Sequence, residues 1–191
     1  MVFRTMSVDE IRYWYTEELS EAFAPNERKP LQDILMLQNE GRYELWGLFD
    51  ATQIAGYATI WKAPGIALVL LDYLGVSKRL RNGGLGSDIL SRLRAQGRPI
   101  VTEAELPVTG GSESENDIRR RRIGFYIRNG FSPVYEMATC GMRWQALVYD
   151  EHGHTLGDIM RWHKALYGPA RTDVVVPLGP DEQPEMPYWI K

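Results

Sequence analysis

Cys140 is the only cysteine in 191 residues, so no disulfide can form within the chain and its core must hold without covalent staples. That usage suits a reducing, cytoplasmic setting. Histidine is nearly as scarce. His152 and His154 fall in a turn and His163 on a helix, with neither cysteine partners nor metal-ligand spacing, so surface positions and no metal are expected. No apolar run approaches the length of a membrane span, and Met1 to Ser20 carries Asp9 and Glu10 where a signal peptide would be apolar. A basic excess is also missing. The 22 Lys+Arg against 25 Asp+Glu give a formal net charge of −3, which speaks against general nucleic-acid binding, and no membrane partner is expected either. What the chain does have is 44% hydrophobic residues, enough for one globular domain with a real core and an appendage.

Ser7-Val-Asp-Glu10 is a capping-box pattern, and Ile11, Tyr15, Leu19 and Phe23 follow at helical spacing, so one helix is expected to run to Ala24. Pro25 ends it. Pro30 starts a second helix that runs to about Asn39, stopped by Gly41. Tyr43 to Phe49 and Ile54 to Trp61 read as an antiparallel hairpin across Asp50-Ala-Thr-Gln53. Ile66 to Val76 reads as a strand, Ser87 to Gln96 as an amphipathic helix, and Pro99 to Leu106 as another strand. The Gly- and Ser-rich stretch from Pro107 to Glu115 reads as a loop, with Asn116 or Asp117 capping a helix that Gly130 closes. Strands near Val134 to Met142 and Arg143 to Asp150 follow, then a helix from Thr155 to Tyr167 and a Pro-rich tail. The tail either docks along the domain or forms a homodimer contact. No internal repeat is present.

The stretch Arg81-Asn82-Gly83-Gly84-Leu85-Gly86 stands between the β-rich segment and the helix after it. A strand, a basic turn and a glycine-rich helix start make a phosphate receptor. The unpaired N–H groups of the first helical turn and the helix dipole both favour an anion, and glycines let it approach the backbone. Lys78 and Arg79 add charge to the same turn. A P-loop is excluded because no Gly-x-x-x-x-Gly-Lys-Ser/Thr run occurs. A dinucleotide fingerprint fails at its third glycine, where Ile89 stands.

Arg81-x-x-Gly84-x-Gly86 resembles the acyl-CoA signature of the GNAT N-acyltransferase superfamily, and Ile123-Gly-Phe-Tyr126-Ile-Arg-Asn-Gly130-Phe131 is similar to that superfamily's later segment. The resemblance covers about Val2 to Asp150. It implies an α/β (α+β) fold with a central mixed, mostly antiparallel twisted sheet of six to seven strands, splayed between its fourth and fifth, flanked by about four helices. Residues 1–150 would then form the N-acyltransferase domain, and 151–191 a C-terminal helix and tail. Pro25-Asn-Glu-Arg-Lys-Pro30 and Leu70-Leu-Asp-Tyr-Leu74 resemble segments of a small bacterial subgroup of the same superfamily.

The resemblance further implies acetyl-CoA as cosubstrate and a small primary amine as acceptor. Leu74, Gly75, Val76, Arg81, Asn82, Gly83, Gly84, Leu85, Gly86 and Ser87 would hold the coenzyme, the first three lending backbone groups to the pantetheine arm. Tyr126 would return a proton to the leaving thiolate. Many members carry Asn seven residues before this tyrosine, where Arg119 stands here. Glu103 and Glu105 share a strand face with Val101 and are candidates for the base, because two neighbouring carboxylates repel and one can be tuned to take a proton. Glu27, Arg28 and Asp72 are candidates for binding the acceptor, with Asp72 alternatively a satisfied structural carboxylate. The expected activity is N-acetyl transfer by direct attack. An inactive coenzyme-sensing module and a protein-modifying enzyme are the alternatives.

Overall fold

The computed structural model describes residues 1–190. Seven strands form one sheet in the order β1-β2-β3-β4-β5-β7-β6, mixed and mostly antiparallel. The strands are β1 (Val2–Thr5), β2 (Tyr43–Asp50), β3 (Gln53–Trp61), β4 (Val69–Val76), β5 (Ile100–Glu105), β6 (Ser132–Thr139) and β7 (Met142–Tyr149). Helical segments are α1 (Val8–Tyr13), a π-helical turn (Trp14–Leu19), α2 (Ser20–Ala22), α3 (Leu31–Asn39), α4 (Leu85–Arg94), α5 (Glu113–Arg128) and α6 (Leu156–Tyr167). By compactness the chain divides into two units. One comprises Met1–Gly65 with Leu71–Gln96, the other Ile66–Leu70 with Gly97–Lys191.

In the first unit the capping box forms as the pattern predicts. The Ser7 hydroxyl accepts from the Glu10 N–H at 3.3 Å and the Glu10 carboxylate accepts from the Ser7 N–H at 2.7 Å. The helix that follows departs from expectation. A π turn inserts one extra residue per turn, so Ile11, Trp14 and Leu19 are fully buried while Tyr15 is only half-buried. Even 3.6-residue spacing would have chosen Tyr15. Trp14 packs edge-on against Tyr57 of β3, with ring centroids 5.6 Å apart.

The β2–β3 hairpin turns between Asp50 and Gln53 with Ala51 at φ 53°. Strand β4 begins at Val69, three residues later than the apolar run suggests. Its buried pair is ionic. Lys29 Nζ lies 2.7 Å from both oxygens of Asp72, with the two side chains 7% and 8% exposed. The Tyr43 hydroxyl donates to Asp72 as well, and burial together with that carboxylate pushes the Tyr43 phenol well up. Lys29→Met would strand the carboxylate, so we expect roughly 3 kcal/mol of destabilisation in a urea titration, largely recovered by also making Asp72→Leu. A loss near zero would mean that Asp72 does not depend on Lys29.

In the second unit β5 and β6 both pair antiparallel with β7. The β6–β7 hairpin closes through Cys140 (φ 55°) and Gly141 (φ 76°), the two positive-φ positions of a type I′ turn. Helix α5 starts at Glu113 behind Ser112, earlier than the loop assignment allowed. Asn116, expected to be a cap, instead lies inside the helix and clamps the preceding loop, donating to the Val108 carbonyl at 2.9 Å and accepting from its N–H at 2.8 Å. The tail docks on β6: Val175 pairs with Ala138, and the Leu178 N–H donates to the Glu136 carbonyl at 2.8 Å. Buried Arg171 and Asp173 pin it, Asp173 accepting from the Cys140 N–H and the Thr139 hydroxyl, both at 3.0 Å. Among the described residues no helix is long and apolar enough to cross a membrane.

Candidate active site

The glycine-rich turn is built on the first unit. After β4, a short 3₁₀ turn (Lys78–Leu80) leads to Arg81, whose Nε donates back to the Val76 carbonyl at 3.4 Å. Asn82 (φ 68°) and Gly84 (φ 79°) both take the left-handed conformation, which glycine adopts without strain and asparagine tolerates. Gly84 is the N-cap of α4 and brings no side chain to it. A Cβ built there would meet nothing within 4 Å. Gly84 thus adds no side chain where α4 opens, in a turn that also carries Arg79 and Arg81. This geometry fits the pyrophosphate of a coenzyme.

Leu74, Gly75 and Val76 are half-buried, whereas Val69 to Leu71 are buried. Gly75 is required by its neighbour: a Cβ would fall 2.3 Å from the Tyr57 hydroxyl. That hydroxyl is buried and finds no hydrogen-bond partner among the described residues. Sequence reading did not single out Tyr57, although its place in a fully buried stretch of β3 marks a phenol that needs a partner.

Of the acceptor candidates, Asp72 is engaged by Lys29 and Tyr43 as described. Glu27 folds into the turn before α3, its carboxylate accepting from the Ala24 N–H at 3.1 Å and its carbonyl from the Tyr73 hydroxyl at 2.7 Å. Arg28 is half-buried, and its Nε has no partner among the described residues.

In the second unit the two carboxylates of β5 take separate partners. Glu105 is 2.7 Å from Arg119 Nη2, and Arg119 Nη1 also donates to Asn116 at 3.1 Å. Arg119 thus sets a counter-charge beside Glu105, while the neighbouring Arg120 pairs with Glu113 and Asp117. Glu103 turns to α6. Its Oε1 lies 2.8 Å from His163 Nε2 and accepts from the Tyr167 hydroxyl at 2.7 Å; Oε2 takes neither bond. Each of the two carboxylates has donors of its own.

His163 corrects an expectation. It is completely buried, not a surface histidine. The signal was present in its spacing, since Ile159, His163 and Leu166 make one buried helical stripe. Tyr126 is 7% exposed on α5 and packs edge-on against Phe125 and Phe131, with centroids 5.3 and 5.6 Å away. Burial raises its phenol above the usual range, partly offset by a hydrogen bond with Thr102 and the charge of Arg122. The group is therefore protonated at neutral pH and able to donate.

No family model matches the chain. YjbC of Bacillus subtilis (strain 168), which carries the name of an acetyltransferase, is 30% identical over 138 residues, 72% of this chain. The match spans 65% of that relative, just under two thirds of its length. A structure from Bacteroides thetaiotaomicron, named for the acetyltransferases of the GNAT family, superimposes with a TM-score of 0.67 at 25% identity, covering 86% of this chain and 95% of its own. GphF, a GNAT-like decarboxylase in complex with isobutyryl-CoA, gives a TM-score of 0.61 at 15% identity over 78% of this chain and 99% of its own. The chain has the GNAT fold. The names of these relatives agree with the GNAT resemblance carried by Arg81 to Gly86 and Ile123 to Phe131.

Proposed function

We propose that this chain transfers an acetyl group from acetyl-CoA to a primary amine, by direct attack with both substrates bound. The observation that carries the reading is the start of α4, where Gly84, at φ 79° and with open space at its Cβ position, leaves the helix start without a capping side chain in a turn that carries Arg79 and Arg81. The isobutyryl-CoA held by GphF on the same fold is in keeping with a CoA thioester there.

Acyl transfer needs the amine deprotonated, the carbonyl polarised, the thiolate protonated and both reactants held close. We assign the pyrophosphate to the turn from Arg81 to Ser87 and the pantetheine arm to the backbone of Leu74 to Val76. Glu103 takes the proton from the acceptor's ammonium group, through the oxygen that His163 and Tyr167 leave unused. Glu105, paired with Arg119, is the weaker choice. Arg28 stays on the acceptor side, whereas Glu27 caps a turn and Asp72 holds Lys29. Tyr126 returns a proton to sulfur.

Tyr126→Phe tests the last assignment. Phenylalanine keeps the packing against Phe125 and Phe131 and removes only the hydroxyl. Turnover should fall about tenfold or more while acetyl-CoA affinity holds in calorimetry. Unchanged turnover would leave Tyr126 a packing residue. Thiol release across a panel of polyamines, amino acids and aminoglycosides separates the transferase from an inactive coenzyme-binding module, and a peptide acceptor separates it from a protein-modifying enzyme.

A further inference from the structure

His163 is a fully buried imidazole with a defined partner on each nitrogen. Nδ1 lies 2.8 Å from the Tyr135 hydroxyl of β6 and Nε2 lies 2.8 Å from Glu103 Oε1 of β5. A carboxylate only accepts, so the Nε2 nitrogen must carry the proton. Nδ1 is held by Tyr135, whose phenol is pushed up by burial and by the charge of Glu103. His163 thus donates to Glu103, and Tyr167 of α6 donates to the same carboxylate oxygen at 2.7 Å. Glu103 and Tyr135 hydrogen-bond the imidazole from β5 and β6, and the Tyr167 ring lies near it on its own helix, with centroids 5.9 Å apart.

We infer that His163 is a positioning residue for proton abstraction, holding Glu103 so that Oε2 alone receives the proton of a primary ammonium acceptor. The inference rests on the acyl-transfer reading with Glu103 as its base. With two donors directed at it, Oε1 is occupied, and the basic lone pairs that remain belong to Oε2. In the step, the ammonium N–H bond breaks, an O–H bond forms at Oε2, and the nitrogen keeps the electron pair with which it attacks the thioester carbonyl. The proton leaves Oε2 to water afterwards. The imidazole never touches substrate, and Tyr135 holds its other nitrogen. On this account the C-terminal helix is part of the reaction, although it lies beyond the stretch that carries the coenzyme motifs.

The test uses the whole chain. His163→Phe keeps the ring volume and removes both nitrogens, whereas His163→Gln keeps an N–H that can reach Glu103. The phenylalanine variant should lose roughly ten- to a hundredfold in kcat, the range found when a group that orients a reactive one is removed, with KM for acetyl-CoA unchanged. The glutamine variant should recover most of it. Nitrogen NMR of the wild type should show a proton on His163 Nε2, hydrogen-bonded to Glu103. Should His163→Phe fail to fold, Tyr167→Phe and the NMR spectrum decide the matter, since loss of one Oε1 donor should lower kcat while KM for acetyl-CoA holds. Wild-type kcat in His163→Phe or Tyr167→Phe, or an Nε2 without a proton, would overturn the inference. If Glu103→Gln loses turnover while His163→Phe keeps it, the base stands and the positioning role falls; full turnover in Glu103→Gln would overturn both.

Discussion

Gly84→Glu should abolish detectable binding of acetyl-CoA, a weakening of roughly a hundredfold or more, about 3 kcal/mol. Two effects act together. The backbone at this position sits at φ 79°, where any residue with a Cβ is strained by about 1–3 kcal/mol. The new carboxylate would also stand at the start of α4, where the geometry favours a phosphate. Nothing of the protein lies within 4 Å of a Cβ built there, so the side chain meets no clash; the backbone strain costs stability and the charge costs binding. Gly84→Ala separates the two effects: it brings the strain without the charge and should weaken binding by only about tenfold. Calorimetry of both variants, with circular dichroism to confirm folding, reads the difference. Wild-type affinity in Gly84→Glu would remove the pyrophosphate from this turn.

Glu103→Gln should reduce kcat by roughly a hundredfold to ten-thousandfold, the range for loss of a positioned general base. Glutamine keeps the length of the side chain and an oxygen to accept from His163 and Tyr167, so the packing of α6 should be preserved. What it loses is the basic oxygen. Glu105→Gln is the matched comparison, since it breaks the pair with Arg119 and should leave kcat much closer to wild type. Measured side by side under saturating acetyl-CoA, the two variants decide which carboxylate of β5 takes the proton. A larger loss at Glu105 would reverse the assignment.

Much of the fold was legible because local patterns and tertiary packing agree. The capping box at Ser7, the proline before α3 and the glycine at Gly130 each do what their local chemistry dictates. The glycine turn was legible for the same reason, since positive φ at Gly84 is a backbone demand written directly in the residue type. The π turn at Trp14–Leu19 was not, because periodicity assumes a constant 3.6-residue turn and one inserted residue moves burial from Tyr15 to Trp14. The start of α5 was missed because Gly110, Gly111 and Ser112 extend a loop composition up to Glu113, while the real constraint is Asn116 clamping the Val108 backbone.

The surroundings of the carboxylates lay beyond local reading altogether. Alternation along β5 puts Glu103 and Glu105 on one face, yet their partners come from α6 and α5, many residues later in the chain. Only the folded arrangement shows that Glu105 meets Arg119 and Glu103 meets His163. Asp72 is a similar case. An acid among leucines announces that it needs a partner, but Lys29 is 43 residues away.

The most direct test of the acyl-transfer account is the release of free thiol from acetyl-CoA by the purified protein, followed with and without each member of a primary-amine panel. The account predicts release that depends on an amine, saturates with acetyl-CoA and is lost in Glu103→Gln. Acetyl-CoA binding with no amine raising thiol release above the rate of simple hydrolysis would contradict it.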